Sequence, residues 1–281
     1  MISKKGPTNM LMERVTCPLF VLLLCSILIA IFAHVAGGGP DNKVLVLKIS
    51  GAITPASDDI IANAIAKAEN EGFEALVISL DTPGGGLEET QAIIKRIGNT
   101  TVPVIGYVPE GGKAWSAGTF ILMGTDIAAM APFTVIGSAQ PVQISAEGTK
   151  PIEDEKIINA LVKYSVTIAS KHRRNETFAE EVITKNKNLD SQEALKAGVI
   201  EYVAPSISDL LTQINRKVVK GKILRTESVS IENYEPPLSL AFLELISNPI
   251  ISSLLLIIGL YGIIFGISSP GLGQKFLGSL Q

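Results

Sequence analysis

The chain has 281 residues, 47% hydrophobic and 18% charged, where ordinary soluble domains carry about 25% charge; one medium-sized domain plus extra apolar segments fits that balance. A net charge of −3, a pI near 5.6 and no Lys/Arg run longer than two residues leave no basic field for a phosphate backbone, which argues against nucleic acid as a partner. The two cysteines, Cys17 and Cys25, lie in an apolar N-terminal run, and the two histidines are His34 and His172. They offer neither a disulfide framework nor a thiolate or histidine metal site, so no metal is expected.

In chain order, residues 1–36 begin with Lys4, Lys5 and Arg14 and carry no formal charge from Val15 to Ala36. This describes either a cleaved signal peptide or a retained signal anchor, and both leave the basic end inside and pass the following chain across the membrane. After the flexible Gly37–Pro40, strand and helix patterns alternate. Val44–Ser50 reads as a strand, Pro55–Asn70 as a helix opened by Thr54 and Pro55, and Ala75–Leu80 as a strand ending at Asp81-Thr-Pro-Gly-Gly-Gly86. A helix over Leu87–Ile97, a strand over Val102–Val108, a short helix from about Ser116 and a strand over Ile127–Met130 follow. Such alternation implies an α/β fold with a mainly parallel, covered sheet.

The second half reads as more helical. Glu153–Arg174 starts with acids and ends with bases, matching the helix dipole, and Asn175 suits its C-terminal cap. Thr177-x-x-Glu180 resembles a capping box, Asp190–Gly198 a short helix, Val199–Val203 a strand and Ile207–Val219 a helix. On this reading residues 37–220 form the domain and the polar 221–237 a linker. Residues 238–268 form a transmembrane region, with Leu238–Ile246 at the interface and the uncharged Ile250–Ile267 spanning, and 269–281 a cytoplasmic tail. Glu232, Glu235 and Glu244 before the span and Lys275 after it place the domain on the extracytoplasmic side of the cell membrane.

Two glycine-rich turns, Gly84–Gly86 and Gly111–Gly118, follow strands and open helices, where backbone N–H groups can hold an oxyanion. Neither has a phosphate-loop or dinucleotide pattern. Ser116 stands at the second strand-to-helix corner as a candidate nucleophile or an ordinary N-cap. His34 in the apolar segment and His172 in a charged helix end speak against a Ser-His-Asp triad, and a lysine is the remaining common base. A lysine base must be neutral, which requires its pKa to fall by about three units, or roughly 4 kcal/mol. Lys156, followed by Ile157, Ile158 and Leu161, suits a semi-buried surface facing Ser116; Lys163 is the runner-up, and Lys113 is constrained by its turn.

The blocks DTPGGG (81–86), GKAWSAGTFILMGTD (112–126), APFTVIGSAQP (131–141), Lys156 and LDSQEALKAGVIEYVA (189–204) resemble the NfeD branch of the ClpP/crotonase superfamily, in its membrane-bound serine protease form. The resemblance runs from about Val44 to Val219. It implies a ClpP/crotonase-like fold with Ser116 as nucleophile and Lys156, forty positions later, as base. It also implies an oxyanion hole at Gly84, Gly85 and Ala117, with Gly85 favoured over Gly84. Trp115 replaces the small residue usual before the serine. Long relatives continue into further membrane helices and a β-barrel, so a shortened or divided form is expected.

The resemblance therefore implies an ATP-independent serine endopeptidase with a Ser-Lys dyad and no cofactor. Its expected partners are the lipid bilayer, further copies in a homo-oligomer (dimer or larger), and as substrate the apolar segment of a stomatin-like membrane protein. Rival readings are a non-catalytic membrane scaffold and a crotonase-like acyl-CoA enzyme, the latter disfavoured where CoA is scarce.

Overall fold

The computed structural model describes residues 42–145 and 148–268; the expected signal or anchor segment and the cytoplasmic tail lie outside the described residues. Strand β1 (Lys43–Ser50) shows how the sequence builds the central layer. Val44 and Val46 point to one side and Leu45, Leu47 and Ile49 to the other, all buried, because helices cover both faces of the sheet. Helix α1 (Pro55–Asn70) is N-capped at Thr54, whose N–H donates to Ser57 Oγ at 3.1 Å, and seats Ile60, Ile61 and Ala64 on the sheet. Strand β2 (Ala75–Asp81), helix α2 (Leu87–Asn99), strand β3 (Val104–Val108), the short β4 (Lys113–Trp115), helix α3 (Ala117–Gly124) and strand β5 (Ile127–Met130) follow.

Beyond these, the chain forms β6 (Val135–Gly137), a hairpin of β7 (Val142–Ser145) and β8 (Gly148–Pro151), and helices α4 (Glu155–Lys171) and α5 (Glu176–Thr184). Then come β9 (Asn188–Asp190), α6 (Ser191–Lys196), β10 (Tyr202–Val203), α7 (Ile207–Gln213), β11 (Val218–Val219), β12 (Lys222–Ile223) and β13 (Ser230–Asn233). Helices α8 (Leu238–Ser247) and α9 (Pro249–Ser268) close the described chain. The main sheet has the order β10-β5-β3-β2-β1-β13 with every pairing parallel. A smaller sheet, β4-β6-β9, stands at the carboxyl end of β2.

The α/β class with a mainly parallel sheet is as expected from the sequence, and four local expectations are corrected. Residues 221–237 are not a free linker: β13 pairs with β1, Thr226 and Leu224 are buried, and the Tyr234 N–H donates to Val46 O. Ile207–Val219 is not one helix, because α7 ends at Gln213 and a small β11–β12 hairpin follows. Asn175 does not cap α4. Arg173, at φ 57°, turns the chain out of that helix, and the Asn175 side chain instead accepts from Phe178 N at 2.8 Å as the N-cap of α5. That leaves Thr177 inside α5, and the expected capping box does not form.

Helix α9 is long and apolar enough to cross a membrane and is unburied along its length. It is separate from α8. Asn248 adopts an extended conformation (ψ 123°) and its Oδ1 accepts from Ile250 N at 2.9 Å, so it ends one helix and caps the next.

Candidate active site

Asp81 ends β2, and the turn that follows is fixed by its own polar groups. Thr82 Oγ1 accepts from Gly84 N at 3.0 Å, while Thr82 N donates to Lys113 O and Trp115 N to Thr82 O. These bonds lay the 82–84 segment beside β4. On its other side Ile53 N donates to Gly84 O at 2.8 Å and Gly86 N to Ile53 O at 3.0 Å. Gly85 sits so close to the Ile53 backbone that any side chain there would collide with its carbonyl. With Gly84 N–H and Gly86 N–H both engaged, Gly85 N–H has no partner among the described residues.

Ser116 joins β4 to α3 with φ 50° and ψ −113°, a combination that costs a non-glycine residue about 1–3 kcal/mol. The turn is held from behind. Ser116 N donates to Gly137 O at 2.9 Å, and Thr119 Oγ1 lies 2.8 Å from both Ala114 O and Gly137 O while accepting from Gly137 N at 3.1 Å. Ser116 is half-buried, and no side chain among the described residues hydrogen-bonds to its Oγ. The N–H of Ala117, first in α3, is likewise without a partner among the described residues.

Gly84 and Ser116 are in contact: a methyl group on Gly84, which has φ 120°, would lie 2.6 Å from Ser116 Cβ and 3.1 Å from its Oγ. The structure thus brings together Ser116, the Gly84–Gly85 turn and Ala117. A hydroxyl beside two unclaimed N–H groups at a helix start is a geometry that can attack a carbonyl and hold the resulting oxyanion. Gly84 differs from its two companions. Its N–H is already spent on Thr82 Oγ1, so its part here is to make room.

Lys156 is not brought to Ser116 by a hydrogen bond. It lies in the first turn of α4, exposed, its N–H bonded to the N-cap carboxylate of Asp154 at 2.8 Å. The semi-buried setting expected from Ile157, Ile158 and Leu161 is only half met, since Leu161 is buried and Ile157 is 41% exposed. Lys163 is exposed as well. Lys113 places its Nζ 5.0 Å from the centroid of the Trp115 ring, a cation–π contact on the outer face of the small sheet. Trp115 faces Gly137 across the strand pair and stays partly exposed beside the serine.

Sequence reading missed two supports. One is the Thr119–Gly137 clamp; a glycine after an apolar strand was its only visible signal. The other is Arg174, read as a helix-dipole charge. It is buried, and its Nη1 donates to Leu122 O, Met123 O and Thr125 O, carbonyls at and just past the C-terminus of α3, the first of which Thr125 N and Oγ1 also reach. Its Nε and Nη2 form a fork with Glu201 at 2.8 and 2.7 Å, and Glu201 also accepts from Ala128 N. Helix α3 is therefore anchored at both ends. His172, two residues from Arg174, is pushed down to about 4, first by burial and then by the charges of Arg174, Lys171 and Lys220.

Fold and site together define an α/β domain with a mainly parallel sheet, carrying a strained serine turn against a glycine loop. The model of the NfeD1b N-terminal domain matches residues 43–218, and the chain belongs to that family. It is 38% identical over 238 residues to the membrane-bound protease PH1510 of Pyrococcus horikoshii, an alignment covering 82% of this chain and 54% of that protein. To the membrane protein NfeD1b of Bacillus subtilis it is 23% identical, covering 83% and 52%. The chain thus spans about half the length of the curated relatives it matches. Among solved structures it resembles the 1510-N membrane-bound stomatin-specific protease. A lysine-to-alanine mutant of that protease in complex with a substrate peptide aligns at 38% identity and TM-score 0.70, covering 75% of this chain and all of that one. A serine-to-alanine mutant aligns at 39% and 0.67, covering 71% and all.

Proposed function

We propose that the chain is a membrane-tethered, ATP-independent serine endopeptidase with Ser116 as nucleophile and Lys156 as base, and that it cuts the apolar segments of stomatin-like membrane proteins on the extracytoplasmic side. The observation that carries the reading is the backbone of Ser116, strained and pressed against Gly84, with the N–H groups of Gly85 and Ala117 unclaimed beside it. The names of the relatives, a membrane-bound protease and a stomatin-specific one with a bound peptide, support the reaction and the substrate class.

In this mechanism neutral Lys156 takes the Ser116 proton as Oγ attacks the peptide carbonyl carbon. Gly85 and Ala117 hold the oxyanion, and on collapse the leaving amine receives the proton from Lys156. Water, deprotonated by the same lysine, then releases the acyl group. The mechanism requires Lys156 to be covered and brought to Ser116. Exposed Ile157, together with Val142 on the hairpin leading into α4, gives a bound peptide or a second copy an apolar surface to cover. A homo-oligomer, dimer or larger, is the assembly proposed.

The exposure of Lys156 is also the observation that favours the scaffold reading, in which the domain only holds its partner. One experiment separates the two. The full chain in nanodiscs is incubated with peptides copied from apolar C-terminal segments of stomatin-like proteins, with Ser116→Ala as the blank. Ser-dependent cleavage that Lys156→Arg abolishes is expected, since a guanidinium stays protonated. Tight peptide binding without cleavage by the unaltered chain would establish the scaffold instead.

A further inference from the structure

Helix α8 is built inside out for a soluble surface. Leu238, Phe242 and Leu245, at i, i+4 and i+7 and hence on one side, are 89%, 62% and 53% exposed. The only charged residue of the helix, Glu244, is on the opposite, partly buried side with Leu240, Leu243 and Ser247. Leu240 packs on the main core, and Glu244 lines a cavity of about 270 Å³ with Lys48, Ile60 and Tyr234. The helix thus turns its acid toward the protein and leaves Leu238, Phe242 and Leu245 facing away from it.

We infer that α8 lies along the lipid surface as an interfacial helix, with Leu238, Phe242 and Leu245 in the acyl boundary and the Glu244 side fastening it to the domain. The occupant of the stripe follows from continuity. One residue, Asn248, separates α8 from α9, the helix long and apolar enough to cross the bilayer, so whatever surrounds the start of α9 also meets the end of α8. The extended backbone at Asn248 and the fresh cap it supplies to α9 release α8 from the spanning axis, as an in-plane helix requires. Length agrees as well. At about 1.5 Å per residue, the ten residues of α8 cannot cross a bilayer but can rest on one. The side chains on offer are the bulky apolar ones that sink about 5–10 Å into the headgroup boundary. A lipid-seated α8 that also packs on α1 orients the domain on the membrane, whichever side it occupies and whether or not it cleaves peptides.

The test uses the full chain in nanodiscs of phosphatidylcholine and phosphatidylglycerol, with Cys17 and Cys25 changed to serine and one cysteine introduced at a time for an environment-sensitive fluorophore. Phe242→Cys and Leu245→Cys report the stripe and Glu235→Cys, an exposed site before the helix, reports water. The stripe positions are exposed, so their substitution leaves the core intact. Labels at 242 and 245 should be quenched by nitroxide lipids and shielded from aqueous iodide several-fold more than the label at 235. Iodide quenching at 242 and 245 equal to that at 235 overturns the proposal. Shielding from both quenchers also overturns it, since a protein partner or a second copy would then cover the stripe.

Discussion

Changing Gly84 to alanine should disable the site while leaving the fold standing. Two costs arise, and they can be separated. Gly84 has φ 120°, where an alanine costs about 1–3 kcal/mol in backbone strain, and that part appears as lost stability. The second cost falls on Ser116, because the new methyl would lie 2.6 Å from its Cβ. Ordinary carbon contacts are about 3.5–4.0 Å, so the serine or the turn must move by about 1 Å, and a displacement of that size from a reacting geometry costs on the order of 100-fold in rate. Gly111→Ala is the control. That residue has φ 72° and nothing within 4 Å of a built methyl, so it pays the strain without touching Ser116. Peptide hydrolysis and thermal melting of both variants in nanodiscs read the two costs. A melting loss for Gly84→Ala at least as large as that for Gly111→Ala, with a roughly 100-fold activity difference, is expected; Gly84→Ala with the activity of Gly111→Ala would refute the argument that this glycine exists to seat the serine.

Three further outcomes are expected. Arg174→Met removes the fork to the partly exposed Glu201 and leaves Met123 O and Thr125 O without their side-chain donor, so it should cost about 1–3 kcal/mol in denaturant unfolding, while Arg174→Lys, which cannot reach all these partners at once, should recover only part. His172, held at about 4 against about 6.5 when unfolded, is neutral in the folded chain; its contribution is complete above pH ~6.5 and lost as pH falls to about 4. The two values bound that loss at about 3 kcal/mol, and solvent reaching the half-buried ring reduces it to about 1–2 kcal/mol, so His172→Asn should flatten the acid limb of the stability curve by that amount. For topology, a cysteine at exposed Lys196 in a chain lacking Cys17 and Cys25 should react with a membrane-impermeant maleimide in intact cells and one at Gln281 should not; the reverse pattern places the domain in the cytoplasm.

The inner strands of the main sheet were legible because each is covered on both faces and therefore largely apolar, as VLVLKIS and ALVISL are. The small sheet was not legible. Its strands β4, β6 and β9 are three residues each and hold together through partners distant in sequence, which no local period can announce. Strand β13 was hidden by the opposite cause. SIEN is polar because it forms the edge of the sheet, and its backbone pairing with β1 makes no demand on side chains. At the site, the turn chemistry of PGGG and of the serine corner could be read locally, and the structure assembles them side by side. The surroundings of Lys156 could not, since amphipathic spacing tells which side of α4 is buried but not how deeply its first turn is covered. The role of Arg174 was masked by its neighbours, because in KHRR a charge that enters the core looks the same as one that meets the helix dipole.

The folded state of residues 221–237 changes how the site relates to the apolar helix α9. Seventeen residues of free polar chain would have an r.m.s. span of about 20–25 Å, letting the domain wander over its anchor. Instead β13 is locked on β1 through four paired residues, from Lys43↔Ser230 to Val46↔Asn233, and the Tyr234 N–H continues the ladder to Val46 O. Only Glu235–Pro237 then precedes α8, which is packed on α1. The same β1 leads in the other direction to Gly51, bonded to Asp81 O, and to Ile53, whose N–H and carbonyl hold Gly84 and Gly86 in place. The loop that presents Gly85 N–H and the segment that leads through α8 into α9 are thus attached to one strand. The position of Ser116 relative to α8 is consequently a property of the sheet. A substitution that frees β13 from β1 would loosen both ends of that connection together, whereas lengthening a true linker would have changed only the reach.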